Sequence, residues 1–371
     1  MKTKRNSNME LLRICAMLMI VAYHIYIHCI TCQLTDLQSI QERGNGWFCI
    51  PNFSKRLCIL ALIAPWGQIG NAIFLIISGY FMSSKDVIDL TKISKKLLFQ
   101  LGFAACVLGL VSIYTSTTNI TGLSIRVVPF SCFNSGSWYI GYYFLVIVFG
   151  KAFLNKILKG LSQKNYLMFL AALFALLQFT WSVSVISNLG GGLETLCTGI
   201  FLYSLGGYIK EYNPFEKIKL WGVIAVIIAM DVIVIGNFYL TTASNILNFN
   251  PEGEDTFVQS IPSYTNNQII PLIIGIAMFE LFRRIKMPNF KVLNFVGAST
   301  FMVYLIHDNE LFYDIWNTQD WITLICKNVA LFVQRYLIWI LGTFGVGVLL
   351  YCLFIILEKV IIICKPLAIR K

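Results

Sequence analysis

The stretch Met9-Glu10-Leu11-Leu12-Arg13-Ile14-Cys15-Ala16-Met17-Leu18-Met19-Ile20-Val21-Ala22-Tyr23-His24 is apolar except for Glu10, Arg13 and His24, and His28 follows one turn later. Eleven positions separate Arg13 from His24. At about 100° per residue this is three turns plus roughly 20°, so both project from one helix face, about 16 Å apart along the axis. Glu10 falls within about 40° of the same line. Ionisable groups are costly inside an apolar span and mark a site or a partner there. The stretch therefore reads as a membrane helix that carries chemistry.

The rest of the chain agrees with a membrane setting. Of 371 residues, 57% are hydrophobic and 13% charged, and the mean hydropathy is +0.72. A soluble domain carries about 25% charged residues. The composition predicts an all-α, polytopic membrane protein. The basic start Lys2-Thr3-Lys4-Arg5 resembles that of a signal peptide. Arg13 interrupts the apolar run and no small-residue cleavage site follows, so the segment is expected to be retained.

Ten spans are expected: 9–31, 58–82, 95–115, 137–155, 166–186, 191–209, 219–240, 267–283, 292–312 and 336–363. Their connections then alternate sides. One side collects 22 Lys and Arg, the other six, and Arg13 lies within a span. That asymmetry predicts both termini in the cytoplasm. It also accounts for the net charge of +11 without a nucleic-acid partner. Residues 241–266 and 32–57 read as irregular external loops. Residues 313–335, with Trp316, Trp321 and the short run Val329–Val333, read as an interfacial segment. With no repeat or soluble insert, residues 1–371 read as one domain in the plasma membrane.

The eleven cysteines mostly lie in apolar runs, where cysteine behaves as a small hydrophobe. Cys29-Ile30-Thr31-Cys32 is a single CxxC and a weak signal for metal or redox work. A disulfide involving Cys49 is compatible with an external location. His24 and His28 share a helix face, but no third ligand is close in sequence, so no metal site is expected.

Four stretches are candidates for a site. Arg13 suits an anionic, phosphate-bearing ligand at the inner face, or it snorkels to headgroups. His24 suits proton transfer near neutral pH, or it joins two helices through a hydrogen bond. In the second span, Gly70-Asn71-Ala72-Ile73-Phe74-Leu75-Ile76-Ile77-Ser78-Gly79-Tyr80 is either a site or a close helix contact that small residues permit. Ser135-Gly136-Ser137-Trp138-Tyr139 is either an interfacial aromatic belt or a platform on which a sugar ring stacks. Finally, Ser299-Thr300-Phe301-Met302-Val303-Tyr304-Leu305-Ile306-His307-Asp308 places His307 near an outer end, at the surface or converging on His24. Asp231 and Glu194 are further membrane acids without an evident partner.

In this order, the four stretches resemble the membrane-bound acyltransferase-3 family. Arg13 and His24 match its arginine, ten residues and histidine. Gly70 to Tyr80 matches its second-span pattern, with Leu75 where a second Phe is common. Trp138-Tyr139 matches an aromatic span start, and Thr300 to His307 matches its late tyrosine–histidine element. One departure is Lys92-Ile93-Ser94-Lys95-Lys96, where many members carry arginines.

The resemblance implies transfer of an acetyl or similar short acyl group. The donor is cytoplasmic acyl-coenzyme A, a substrate and not a resident cofactor. The acceptor is a hydroxyl of a cell-surface or lipid-linked polysaccharide. His24 is then the catalytic base, with Glu10 or another acid orienting it. Arg13, Ser78, Lys92, Lys95 and Lys96 face the donor. Trp138, Tyr139 and His307 face the acceptor. Two alternatives stand beside this: succinyl rather than acetyl transfer, and a transporter or flippase for a glycan precursor, since buried charge across many spans also suits a substrate path.

Overall fold

The structure is a computed structural model and describes residues 6–35, 52–118, 138–179, 184–247 and 263–368. Cys49, Gly44-Asn45-Gly46, Ser135 and the acidic stretch 251–255 lie outside them.

All regular structure among the described residues is helical. The elements are α1 Ser7–Ile25, a π-helical turn Tyr26–Ile30, α2 Thr31–Thr35, α3 Phe53–Leu57, α4 Ile59–Ile63, α5 Trp66–Met82, α6 Leu90–Thr118 and α7 Trp138–Phe149. A second π-helical turn, Gly150–Leu154, leads into α8 Asn155–Lys159. Then follow α9 Gln163–Phe179, α10 Ser184–Tyr212, α11 Leu220–Leu247, α12 Ile269–Arg284, α13 Lys291–His307, α14 Glu310–Asn317, α15 Trp321–Lys327 and α16 Val329–Ala368.

Among the described residues, six helical stretches are long and apolar enough to cross a membrane: Ser7–Leu34, Lys55–Met82, Leu90–Tyr114, Trp138–Lys159, Leu220–Thr241 and Val329–Val360. The sequence leads to an expectation of ten. Three of the other four fall short on length: α9, α12 and α13 have 17, 16 and 17 residues, below the roughly 20 that cross about 30 Å of hydrocarbon.

Several boundaries differ from expectation, each for a local reason. The ninth expected span, 292–312, ends at His307 because Asn309 starts a new helix, its side chain accepting the N–H of Phe312 at 3.3 Å. Val329–Val333 is the start of the 40-residue α16 and not a separate segment. Asn328 caps that start, accepting from Ala330 N at 3.0 Å and Leu331 N at 3.2 Å. Residues 241–247 belong to α11 and not to a loop.

α1 is the centre of the bundle, with α5, α12, α13 and α16 against it. Between membrane helices the hydrophobic effect is weak, so close approach does the work. Gly70 of α5 lies against α1: a methyl group there would sit 2.6 Å from Ile20 Cγ1 and 2.8 Å from the Ala16 carbonyl oxygen. The α5–α10 contact is closer still. Side chains at Gly79 and Gly206 would overlap the Tyr203 carbonyl and the Ile76 carbonyl respectively. On the outer surface, α6, α11 and α16 expose Leu98, Phe99, Val232, Leu240, Leu341 and Leu349. So large an exposed apolar face needs lipid to cover it.

Near the first residues of the bundle, Ser7 Oγ donates to Asn294 Oδ1 at 2.9 Å, and Asn8 Nδ2 donates to the Phe282 carbonyl at 3.0 Å. These bonds tie the start of α1 to α12 and α13. At the same level Glu280, 2% exposed, accepts both Arg283 Nε and Arg283 Nη2 at 2.8 Å. Arg284 also pairs with Glu280 and reaches the Phe215 and Ile218 carbonyls, while Arg283 reaches Asn213. The cluster holds the α10–α11 connection to α12.

Candidate active site

Two elements 283 positions apart in sequence deliver the central pair. His24 sits in the last turn of α1, and His307 is the last residue of α13. His24 Nδ1 lies 2.7 Å from His307 Nε2. The rings are parallel within 8°, with centroids 4.7 Å apart. Face-to-face stacking requires about 3.5 Å between carbon atoms, so a 2.7 Å nitrogen separation places the rings edge to edge. That is the arrangement of an N–H···N hydrogen bond.

The backbone decides which way this bond runs. His307 is fully buried, and its Nδ1 meets the carbonyls of Tyr304 at 2.9 Å and Val303 at 3.1 Å. Carbonyls only accept, so Nδ1 carries the proton and Nε2 holds a lone pair. His24 Nδ1 must then donate to His307 Nε2, which leaves the lone pair of neutral His24 on Nε2. The α13 backbone thus fixes the tautomers of two histidines in series. A neutral His24 held in this way is equipped to accept a proton at Nε2.

Asp308 follows His307 directly. Its Oδ1 lies 3.5 Å from His24 Nδ1 and 3.8 Å from His28 Nε2, and it accepts the Tyr313 hydroxyl. The π-helical turn after α1 carries His28, whose ring stacks on Tyr313 at 4.0 Å and 15°. π-turns inside helices frequently mark functional sites. Asp308 and Tyr313 were not candidates from the sequence. The adjacency of Asp308 to His307 is the only local signal.

The other candidates sit as follows. Glu10 is fourteen positions before His24, about 21 Å along the same helix. It pairs with Arg13 at 3.0 Å and packs on Gly297 of α13, so the acid beside His24 is Asp308. Arg13 is partly exposed. Ser78 is buried, donating to the Phe74 carbonyl at 2.8 Å and lying 3.2 Å from the Tyr143 hydroxyl. Gly79 makes the close helix contact described above. Cys29 is a buried thiol whose Sγ lies 3.8 Å from the Tyr313 carbonyl; Cys32 is exposed, with its Sγ 3.7 Å from the Ile27 carbonyl.

Lys92, Lys95 and Lys96 begin α6 and line a cavity of about 600 Å³, facing Tyr351, Phe354 and Glu358 of α16. Arg13 does not line it. Trp138 and Tyr139 open α7 against α13: the Tyr139 N–H donates to the Tyr304 hydroxyl at 3.2 Å, and the Tyr304 ring lies 5.8 Å from that of His307. Trp138 is 42% exposed, and its ring stacks on that of Tyr142 with centroids 5.8 Å apart and planes 23° from parallel. Among the described residues, no three potential metal ligands converge.

A family model described as "Acyltransferase domain", that of acyltransferase-3, matches residues 6–359. No curated protein and no solved structure matches the chain. The matched region runs from the start of α1 through most of α16 and encloses the histidine pair. The chain belongs to the acyltransferase-3 family and is a membrane acyltransferase.

Proposed function

We propose that this protein moves a short acyl group, acetyl in the first instance, from cytoplasmic acyl-coenzyme A to a hydroxyl of a cell-surface or lipid-linked polysaccharide, with His24 as the general base. The observation that carries this reading is the His24–His307 bond, whose direction the α13 carbonyls fix and which leaves His24 Nε2 as the basic atom. In the step, His24 Nε2 takes the proton of the acceptor hydroxyl while its oxygen attacks the thioester carbonyl carbon. The C–S bond breaks, and the departing thiolate receives the proton that His24 held. Acylated glycan and free thiol are the only products.

The 22-to-6 division of basic residues supports ten crossings with both termini in the cytoplasm. In that orientation the single domain lies in the plasma membrane, with Arg13 and the Lys92, Lys95 and Lys96 cavity on the donor side and His24 further outward. Lysine suits phosphate as a point charge, without the arginine fork. Trp138 offers the acceptor sugar an exposed aromatic face, and the buried Tyr139 behind it joins that face to Tyr304. About 16 Å separates Arg13 from His24, which the extended pantetheine arm of the donor bridges.

The test is transfer of label from acetyl- or succinyl-coenzyme A to glycan in membranes carrying the full chain. His24→Gln is expected to lower transfer at least about 100-fold at equal protein level. His307→Ala is expected to lower it by a comparable factor, since the tautomer of His24 is then unfixed. Transfer that persists in His24→Gln overturns the assignment, and label moving only from succinyl-coenzyme A replaces acetyl by succinyl.

A further inference from the structure

We infer that Asp308 is a positioning residue of this reaction: it supplies the counter-charge that stabilises His24 after proton uptake, while His307 supplies the orientation. The inference rests on the reading of His24 as the base. In a Ser-His-Asp triad one carboxylate does both jobs. Here they are divided. The near in-line partner of His24 Nδ1, at 2.7 Å, is the neutral His307, which fixes the tautomer but offers no negative charge. The carboxylate of Asp308 stands beside that bond at 3.5 Å, too long for a hydrogen bond yet close enough for strong attraction to an imidazolium.

The surroundings keep that carboxylate aimed. Asp308 follows the last residue of α13, and its side chain is 9% exposed. Its hydroxyl donor is Tyr313 of α14. The groups facing it are His24 of α1, His28 of the π-turn, Tyr304 and His307 of α13, and Tyr313, beside which lie Cys29 and Glu310. Among the described residues, its ion-pair partners are the two histidines. The C-terminal carbonyls of α13 add negative potential at the same end. A positive charge on His24 is therefore stabilised from the side opposite to Nε2, where the proton arrives.

The experiment is the pH–rate profile of acyl transfer in permeabilised membranes, with equal pH on both faces. The acid limb reports protonation of His24. Asp308→Asn keeps the shape and removes the charge, so the imidazolium loses stabilisation. The limb should move to lower pH by roughly one unit, with a lower plateau. Tyr313→Phe removes the hydroxyl that disperses the carboxylate charge, so its pull on His24 grows. The limb should move the other way, by a few tenths of a unit.

Opposite displacements support the inference, because a merely structural contact would not produce them. A limb fixed in both variants, with only the plateau lowered, overturns it. If Asp308→Asn does not accumulate, Tyr313→Phe alone decides: an unmoved or lowered limb overturns the inference. Activity surviving in His24→Gln overturns the reading beneath it, a separate outcome.

Discussion

Tyr304 contacts Tyr139 and His307 through different atoms: its hydroxyl accepts the Tyr139 N–H at 3.2 Å, and its backbone carbonyl accepts from His307 at 2.9 Å. One residue thereby joins the start of α7 to the histidine pair. Tyr139 lies in the first turn of α7, where backbone N–H groups lack helical partners. Tyr304→Phe keeps the carbonyl and the ring but strands that donor. Expected losses are about 1 kcal/mol of stability and several-fold weaker acceptor saturation, read as a higher acceptor KM, with the donor KM unchanged. Thermal melting in detergent and two-substrate kinetics check this; a change confined to the donor KM would refute the coupling.

The lysine cavity predicts a different kinetic signature. Lys92, Lys95 and Lys96 are exposed along much of their length, so replacing all three by Gln should leave folding nearly unchanged. The donor KM should rise about tenfold with kcat retained, and the wild-type donor KM should climb with salt as screening shortens the reach of exposed charges. Salt-independent, wild-type-like donor saturation in the triple variant would place the phosphates elsewhere.

A buried ion cluster and an exposed ion pair predict different sensitivities. Glu280 is buried between Arg283 and Arg284, so Glu280→Gln leaves two partly buried guanidinium groups short of countercharge. Removing one partner of such a cluster costs about 3–5 kcal/mol, read as a lower melting temperature and a protease-sensitive α10–α11 connection. Asp86, fully exposed, is held below the usual carboxylate range by the hydrogen bond and charge of Lys159. Its depressed value means that the pair contributes above the ordinary carboxylate range and is lost as pH falls through the lowered one. Exposure screens that contribution, so Asp86→Asn should leave the melting curve unmoved at neutral pH.

The glycines give a stability contrast. Gly79→Ala drives a methyl group into the backbone of Tyr203, which has no flexible end to yield, and should cost about 1–3 kcal/mol or more. Gly102 and Gly141 face open space, and alanine there should be neutral or slightly stabilising. Equal melting temperatures for Gly79→Ala and Gly102→Ala would contradict the α5–α10 contact.

The helical architecture was legible because hydropathy and period are local properties. The Arg13–His24 spacing and the small-residue pattern at Ser78-Gly79 could be read in the same way. Periodicity shows which residues share a face, but not which faces meet. His307 was a candidate without a partner until α13 met α1. Asp308 stayed hidden because its role depends on a contact across 284 positions, whereas Glu10 shares a helix face with His24 but lies about 21 Å along it. Boundaries failed where a cap outweighs hydropathy, as Asn309 and Asn328 do.

The π-turn at Tyr26–Ile30 has a consequence for the chain as a heritable text. A π-turn is an α-helix carrying one surplus residue. Excising a single codon there removes the surplus residue, returns the segment to ordinary α winding and leaves the residues on either side of the turn in nearly their present orientation. His24 would stay at its bond with His307, while the ring of His28 would swing away from Tyr313. In this segment a one-residue deletion therefore spares the flanking helices and costs chiefly what the turn itself presents, the stack of His28 on Tyr313.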